Sequence, residues 1–120
     1  MSLAVRANYD TLRSLAFGSI SGTYAALGTA FTRPVRVFKI VNNTDGDVFI
    51  STDGSNDMDF IPANSFVLYD LSSNREITAG VFELPAGTQF FVKQSTAPTK
   101  NAVYLVVFKA LPINPAPNNL

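Results

Sequence analysis

The chain has 120 residues, balances nine Lys+Arg against nine Asp+Glu, and contains no His, Cys or Trp. That inventory excludes histidine-based triads, cysteine nucleophiles, thiolate metal centres and disulfides, and a net charge of zero lacks the basic footprint of a phosphate-binding module. With 47% hydrophobic and 15% charged residues, the chain is too apolar for a disordered segment, and its length suits one domain.

Taken in chain order, residues 1–14 place Val5, Tyr9, Leu12 and then Ala16 at helix-like spacing. Asn8 and Asp10 interrupt that face and no stop signal follows. The stretch reads as an N-terminal arm with room for a short helix. Arg6 and Asp10 also break up any apolar core of a secretory leader, so none is expected. Gly18, Gly22 and Gly28 make the next stretch a poor helix and a better extended chain, with one strand expected within Leu15–Phe31.

From there, short apolar runs alternate with turn-forming residues every eight to twelve positions, the rhythm of an all-β protein. The predicted strands are Val35–Asn42, Val48–Ser51, Ser65–Leu71, Gly80–Leu84, Gln89–Lys93 and Val103–Lys109. Asn43-Thr44-Asp45-Gly46-Asp47 reads as a hairpin turn, since Asn, Asp and Gly accept positive φ cheaply. Ile61-Pro62-Ala63-Asn64-Ser65 and Leu84-Pro85-Ala86-Gly87-Thr88 share a second pattern. Pro sets the first corner of a type I turn, and Asn64 or Gly87 supplies the left-handed residue that closes a bulged hairpin. The pair is either a weak internal repeat or two uses of one efficient turn.

The fold expected is an antiparallel β-sandwich or jelly-roll-like single domain over residues 15–110, with the arm at 1–14 and a Pro-rich tail at 111–120. The tail, with Pro112, Pro115 and Pro117 and no charge, suits a polyproline-like segment. No run approaches the roughly 20 apolar residues of a membrane helix, so no membrane partner is expected. Val103-Tyr104-Leu105-Val106-Val107-Phe108 lacks polar alternation altogether, and Phe66–Leu71 has little. Such a strand is either central between layers or covered on its second face by something else, and in a small domain a neighbouring subunit fits.

Chemistry-bearing clusters are sparse. Asp45, Asp47, Asp53, Asp57 and Asp59 crowd one region, but their spacing is not that of an EF-hand, and Asx-turns account for them. No metal or other cofactor is expected. The glutamates are only Glu76 and Glu83, and a serine nucleophile would have only Lys39, Lys93, Lys100 or Lys109 as its base, with no Ser-x-x-Lys spacing. The expectation is no enzyme. Arg33, Arg36 and Lys39 form the densest basic spot, better suited to a solvated strand or an intersubunit ion pair than to nucleic acid. Tyr69, Phe90, Phe91 and Tyr104 are either core or a sugar-stacking platform.

Tyr24-Ala-Ala-Leu-Gly-Thr, Arg33-Pro-Val-Arg, Ile61-Pro-Ala-Asn-Ser-Phe-Val-Leu-Tyr-Asp-Leu, Leu84-Pro-Ala-Gly-Thr-Gln-Phe-Phe-Val-Lys and Val103-Tyr-Leu-Val-Val-Phe occur in a layout that resembles small β-rich structural proteins of tailed bacteriophage particles, over about residues 15–110. The resemblance implies a non-enzymatic virion protein, made in the host cytoplasm. In that family the roles are capsid decoration (cement), stabilising capsomer contacts, or a neck, adaptor or tail component. It implies the major capsid protein or other virion proteins as partners. A homo-oligomer is expected as well. The rival from another class is a carbohydrate-binding module. Partner contacts are expected from the apolar edges of the arm (Leu3, Val5, Leu12) and tail (Leu111, Ile113, Leu120), and from Arg33 and Arg36.

Overall fold

Nine strands follow one another in the computed structural model, which describes residues 5–71 and 83–112. They are β1 (Val5–Tyr9), β2 (Arg13–Ala16), β3 (Ala25–Ala26), β4 (Val35–Asn42), β5 (Val48–Ser51), β6 (Asp59–Ile61), β7 (Ser65–Asp70), β8 (Phe91–Gln94) and β9 (Ala102–Pro112). A short 3₁₀ turn, Phe17–Ser19, lies between β2 and β3. Two sheets pack face to face. Sheet A runs β1-β9-β4-β7, with β2 also on β9, and sheet B runs β3-β8-β5-β6. All strand pairs are antiparallel.

β1 and β2 lie end to end along the same side of β9, from Val5 opposite Pro112 to Ala16 opposite Ala102. Counted as one interrupted strand, they make the sheet orders 1-8-3-6 and 2-7-4-5. The link from β5 to β6 stays within one sheet, and every other link crosses between sheets. That is jelly-roll topology, in which two nested Greek keys wrap one core. The expected fold class is what the chain adopts.

Three expectations change in detail. Within the expected arm, the described residues from Val5 form no helix: Val5–Tyr9 and Arg13–Ala16 are strands held in the sheet by β9. The helix-like spacing of Val5, Tyr9 and Leu12 yields to the long apolar partner that β9 offers. The first two residues of the expected tail, Leu111 and Pro112, belong to β9, and residues 113–120 lie outside the described residues. Pro112 is tolerated there because its nitrogen is turned away from β1, on the side where pairing with β4 has ended at Lys109, so no ladder bond is lost. The Asn43–Asp47 turn is not a hairpin turn but a crossing from sheet A to sheet B. The cause is Asn42, fully buried at the end of β4. Its Nδ2 donates to the carbonyls of Gly46 (2.8 Å), Ile61 (3.0 Å) and Pro62 (3.1 Å), tying the turn to β6 rather than folding it back on β4. Gly46 fits because a Cβ there would lie 2.3 Å from the Thr96 carbonyl oxygen.

The remaining differences are at element ends. Of the predicted strand Gly80–Leu84, residues 80–82 lie outside the described residues. Leu84 makes an isolated bridge to Val35, with N–H to O distances of 2.7 and 2.9 Å. The strand Asp59–Ile61 was hidden by its acidic flank, which reads as loop.

The core is built from the inward residues of both sheets: Phe38 and Ile40 of β4, Val103, Leu105 and Val107 of β9, Val48 and Ile50 of β5, Ile61 of β6 and Val92 of β8, all 6% exposed or less. Leu27, Phe31 and Phe90 close one end, with Phe31 and Phe90 edge to face at 5.9 Å.

The Pro-Ala turns have the expected left-handed residue, with φ 56° at Asn64 and 92° at Gly87, but neither closes the bulged hairpin expected of it. Both lie on crossings between sheets, so the shared motif marks sharp chain reversals without marking strand pairing. Gly87→Val places a β-branched residue at positive φ, while its Cβ enters open space. The expected loss is therefore backbone strain alone, roughly 1–3 kcal/mol. Equal thermal midpoints for the two proteins would contradict it.

Candidate functional site

β9 answers the question posed by its unbroken apolar run. Val103, Leu105 and Val107 are buried in the core, while Tyr104, Val106 and Phe108 project from the opposite face and are half-buried. β9 is central in sheet A but covered by the sandwich on one side only. Register carries the pattern across the sheet in three rungs. Phe108 pairs with Tyr9 of β1 and Val37 of β4. Val106 pairs with Lys39, which pairs with Leu68 of β7. Tyr104 pairs with Val41, which pairs with Phe66.

The outer face of sheet A thus gathers eight apolar or aromatic side chains around Lys39, with Asp70 opposite Val37 and Ser14 opposite Tyr104 at its margins. Tyr9 is 65% exposed, Phe66 61% and Leu68 58%. Tyr9 and Phe108 stack at 4.4 Å between centroids. An antiparallel sheet face left to water normally alternates toward polar residues, and a contiguous apolar field of this kind marks an interaction surface. Leu12, at the junction of β1 and β2, is also exposed at 56%.

The outer face of sheet B differs in chemistry. Phe49 and Phe60 contact at 5.4 Å. Lys93 lies 5.0 Å from the Tyr24 ring and 5.2 Å from the Phe49 ring, and its Nζ is 2.8 Å from Asp57. The Tyr24 hydroxyl donates to Asp57 at 2.6 Å. Burial and the adjacent Asp57 carboxylate push the Tyr24 phenol well up, while Lys93 and then Tyr24 hold Asp57 below the usual carboxylate range. Phe49, Phe60, Asp57, Met58 and Asp59 line an open depression of about 270 Å³. Its acidic groups are engaged with neighbours: Asp57 as above, and Asp59 with the Tyr69 hydroxyl at 2.7 Å.

The five clustered aspartates do not converge. Asp45 accepts from the backbone N–H and hydroxyl of Thr99, and Asp47 accepts from the Ala63 N–H at 2.9 Å. Asp53 closes its own turn, accepting from the N–H groups of Ser55 (2.8 Å) and Asn56 (2.9 Å). Those backbone donors hold its carboxyl far below the usual range. Asp45, Asp47 and Asp53 each tie a turn. Among the described residues, no three potential metal ligands come together.

The proposed sugar platform is not assembled either. Phe90 is buried in the core at 5% exposure, and Phe91 is half-buried on sheet B. Tyr104 is on the outer face of sheet A, and Tyr69 faces Phe38 at 5.2 Å between rings. The basic spot is likewise divided. Arg33 is exposed before β4, Arg36 is half-buried at the β4 irregularity between Val35 and Val37, and Lys39 takes the centre of the outer face. Of the other expected contact residues, Val5 and Leu111 lie in β1 and β9, whereas Leu3, Ile113 and Leu120 fall outside the described residues. Sequence reasoning missed Tyr9, Val37 and Val41 as site residues, because the face becomes visible only once β4 is set between β7 and β9.

No family model, curated protein or solved structure matches this chain.

Proposed function

We propose that this chain is a non-enzymatic structural protein of a phage particle, a capsid decoration protein that seats the outer face of sheet A against its neighbours. The supporting observation is that apolar face, continuous from Tyr9 through Val106 and Val41 to Phe66. Covering it removes apolar surface from water at about 25 cal/mol per Å². A stable contact takes roughly 800 Å² from each partner, and many copies on one lattice act together. The phage assignment comes from the phrase resemblance, to which jelly-roll topology adds analogy alone, since capsid and lectin domains both use it. A neck or tail station makes the same use of the face, and copy number per particle separates the two.

The test is Val41→Glu, at the middle of the face between Tyr104 and Phe66, where neither cross-strand neighbour carries a charge. A carboxylate on this open face leaves the free domain folded, but docking must then strip it of water without a partner. The expected result is at least about a tenfold loss of co-sedimentation with the particle, worth some 1.4 kcal/mol, with an unchanged circular dichroism spectrum. Undiminished attachment would remove the face from the proposal.

A further inference from the structure

We infer that the outer edge of β7, which no described residue pairs, meets β7 of a second copy, joining two sheets A into one continuous sheet across a two-fold axis. This deepens the assembly reading above by naming one partner, a second copy of the chain, and the strand that meets it.

The first observation is which sheet edges are protected. Among the described residues the two sheets end in β1 with β2, β7, β3 and β6. β3 has two residues, and β6 has three and begins with Asp59. β1 contains Arg6, and β2 contains Arg13. Shortness and charge are the usual protections of an exposed edge, together with proline and bulges. β7 has six residues, and from Ser65 through Tyr69 it carries neither charge nor proline. Its unbroken register with β4, from Asn42 opposite Ser65 to Val37 opposite Asp70, contains no bulge.

The second observation is hydrogen-bond parity. Leu71 N–H donates to the Arg36 carbonyl at 2.6 Å, which fixes the phase of the β4–β7 ladder. Bonds alternate along an antiparallel strand, so Val67 and Tyr69 face β4 with their backbone groups. Phe66 and Leu68 therefore turn theirs away from β4. The same two residues are the most exposed large hydrophobics on β7, at 61% and 58%.

These facts restrict the register. Two outward-facing residues must oppose each other, so only even-numbered positions meet even-numbered positions. Placing Phe66 opposite the partner's Leu68 repeats the pair on the other side of the axis, giving two matched apolar pairs on the outer face. Shifting by one allowed step places Phe66 against the partner's Asp70, and shifting the other way sets Leu68 against the partner's Asn64. The favoured register puts Val67 opposite the partner's Val67 on the axis, as a non-hydrogen-bonded pair. No like charges meet between Ser65 and Tyr69, and a net charge of zero gives the two copies no long-range repulsion. The joined sheet carries the apolar field of both copies on one face.

The experiment uses the full chain, which has no cysteine. Opposed residues of a non-hydrogen-bonded pair have Cα atoms about 4.5 Å apart, within disulfide reach. Val67→Cys is expected to form a covalent dimer under mild oxidation. Ser65→Cys is expected to stay monomeric, since the two Ser65 positions are four residues apart along the strands, roughly 13 Å. By sedimentation velocity the unmodified chain is expected to populate a dimer that Leu68→Pro abolishes. That proline removes a donor pointing away from β4, so the β4–β7 ladder and the circular dichroism spectrum are expected to persist. A chain monomeric at every concentration reached overturns the inference, as does a dimer that cross-links through Ser65→Cys and not Val67→Cys. A monomer that still joins the particle overturns this inference alone, and a dimer that joins no particle overturns the decoration reading alone.

Discussion

Arg13→Ala is expected to lower the unfolding free energy by roughly 3–5 kcal/mol, the scale for removing one member of a buried, hydrogen-bonded ion pair. Arg13 opens β2 and is 6% exposed. Its Nε donates to the Thr29 carbonyl at 2.7 Å, and its Nη atoms donate to the carbonyls of Thr11 (3.3 Å) and Ala30 (3.4 Å). Nη1 lies 3.0 Å from Asp10, and the guanidinium sits 5.1 Å from the Phe31 ring. The residue therefore clamps the β1–β2 junction to the chain that leads into β4. Alanine would leave these carbonyls without their Arg13 donor, and Asp10 with only the Thr11 N–H (2.9 Å) and Lys109 (3.5 Å). Lysine is not expected to restore stability, because a single ammonium cannot reproduce the planar fork. Urea unfolding of the three proteins measures this, and a loss below about 1 kcal/mol would mean the network contributes no more than an ordinary surface contact.

The same network has a pH signature. Burial pushes the Asp10 carboxyl up, but the Thr11 N–H and the Arg13 guanidinium together outweigh burial and hold it below the usual range. A carboxylate depressed in the folded state adds stability that is present above its unfolded pKa and lost as pH falls through the folded value. Removing Arg13 is therefore expected to shrink the stability difference between neutral and acid pH. Parallel pH profiles for wild type and Arg13→Ala would contradict this account.

The second large effect is expected at Asn42. Asn42→Ala strips the amide donor from the buried carbonyls of Gly46 and Ile61 and from that of Pro62. It also removes the acceptor for the Thr44 N–H (3.1 Å) and hydroxyl (2.6 Å). Thr44 is itself fully buried. Leaving such groups unsatisfied costs about 1–3 kcal/mol each, and with partial relaxation the total is expected near 3 kcal/mol. Asn42→Asp is nearly isosteric and tests the mechanism. It keeps the acceptor but turns an oxygen toward three carbonyls, so it is expected to destabilise at least as much as alanine. A well-tolerated aspartate would show that shape at Asn42, and not donation, holds the sheet crossing.

Local chemistry was legible where one residue type decides a backbone angle. Positive φ at Asn64 and Gly87 follows from the Pro-Ala-Asn and Pro-Ala-Gly turns, because few other residues adopt that region cheaply. The strands β4, β5, β7 and β9 were legible from composition, because β-branched and aromatic residues suit a pleated, half-buried surface. The apolar run of β9 also signalled a second face needing cover. Partnership was not legible. Asn42 and Arg13 look like solvent-facing residues in the sequence, since their value depends on carbonyls 2 to 20 residues away that converge only after folding.

The sequence by itself determined an all-β chain, the places where it reverses, and the absence of histidine and thiol chemistry. Those follow from side-chain shape and backbone sterics within a few residues. The tertiary structure decided which sheet each strand enters, because a turn reverses the chain without specifying its next partner. It decided that residues 5–9 belong to sheet A, since β9 is long enough to hold both β1 and β2. It also decided that Tyr9, Val37, Val41 and Phe66 share one surface with Tyr104 and Phe108. Strands distant in sequence meet in register only when the two sheets close over a common core, and only then does an apolar residue acquire an inner or an outer face.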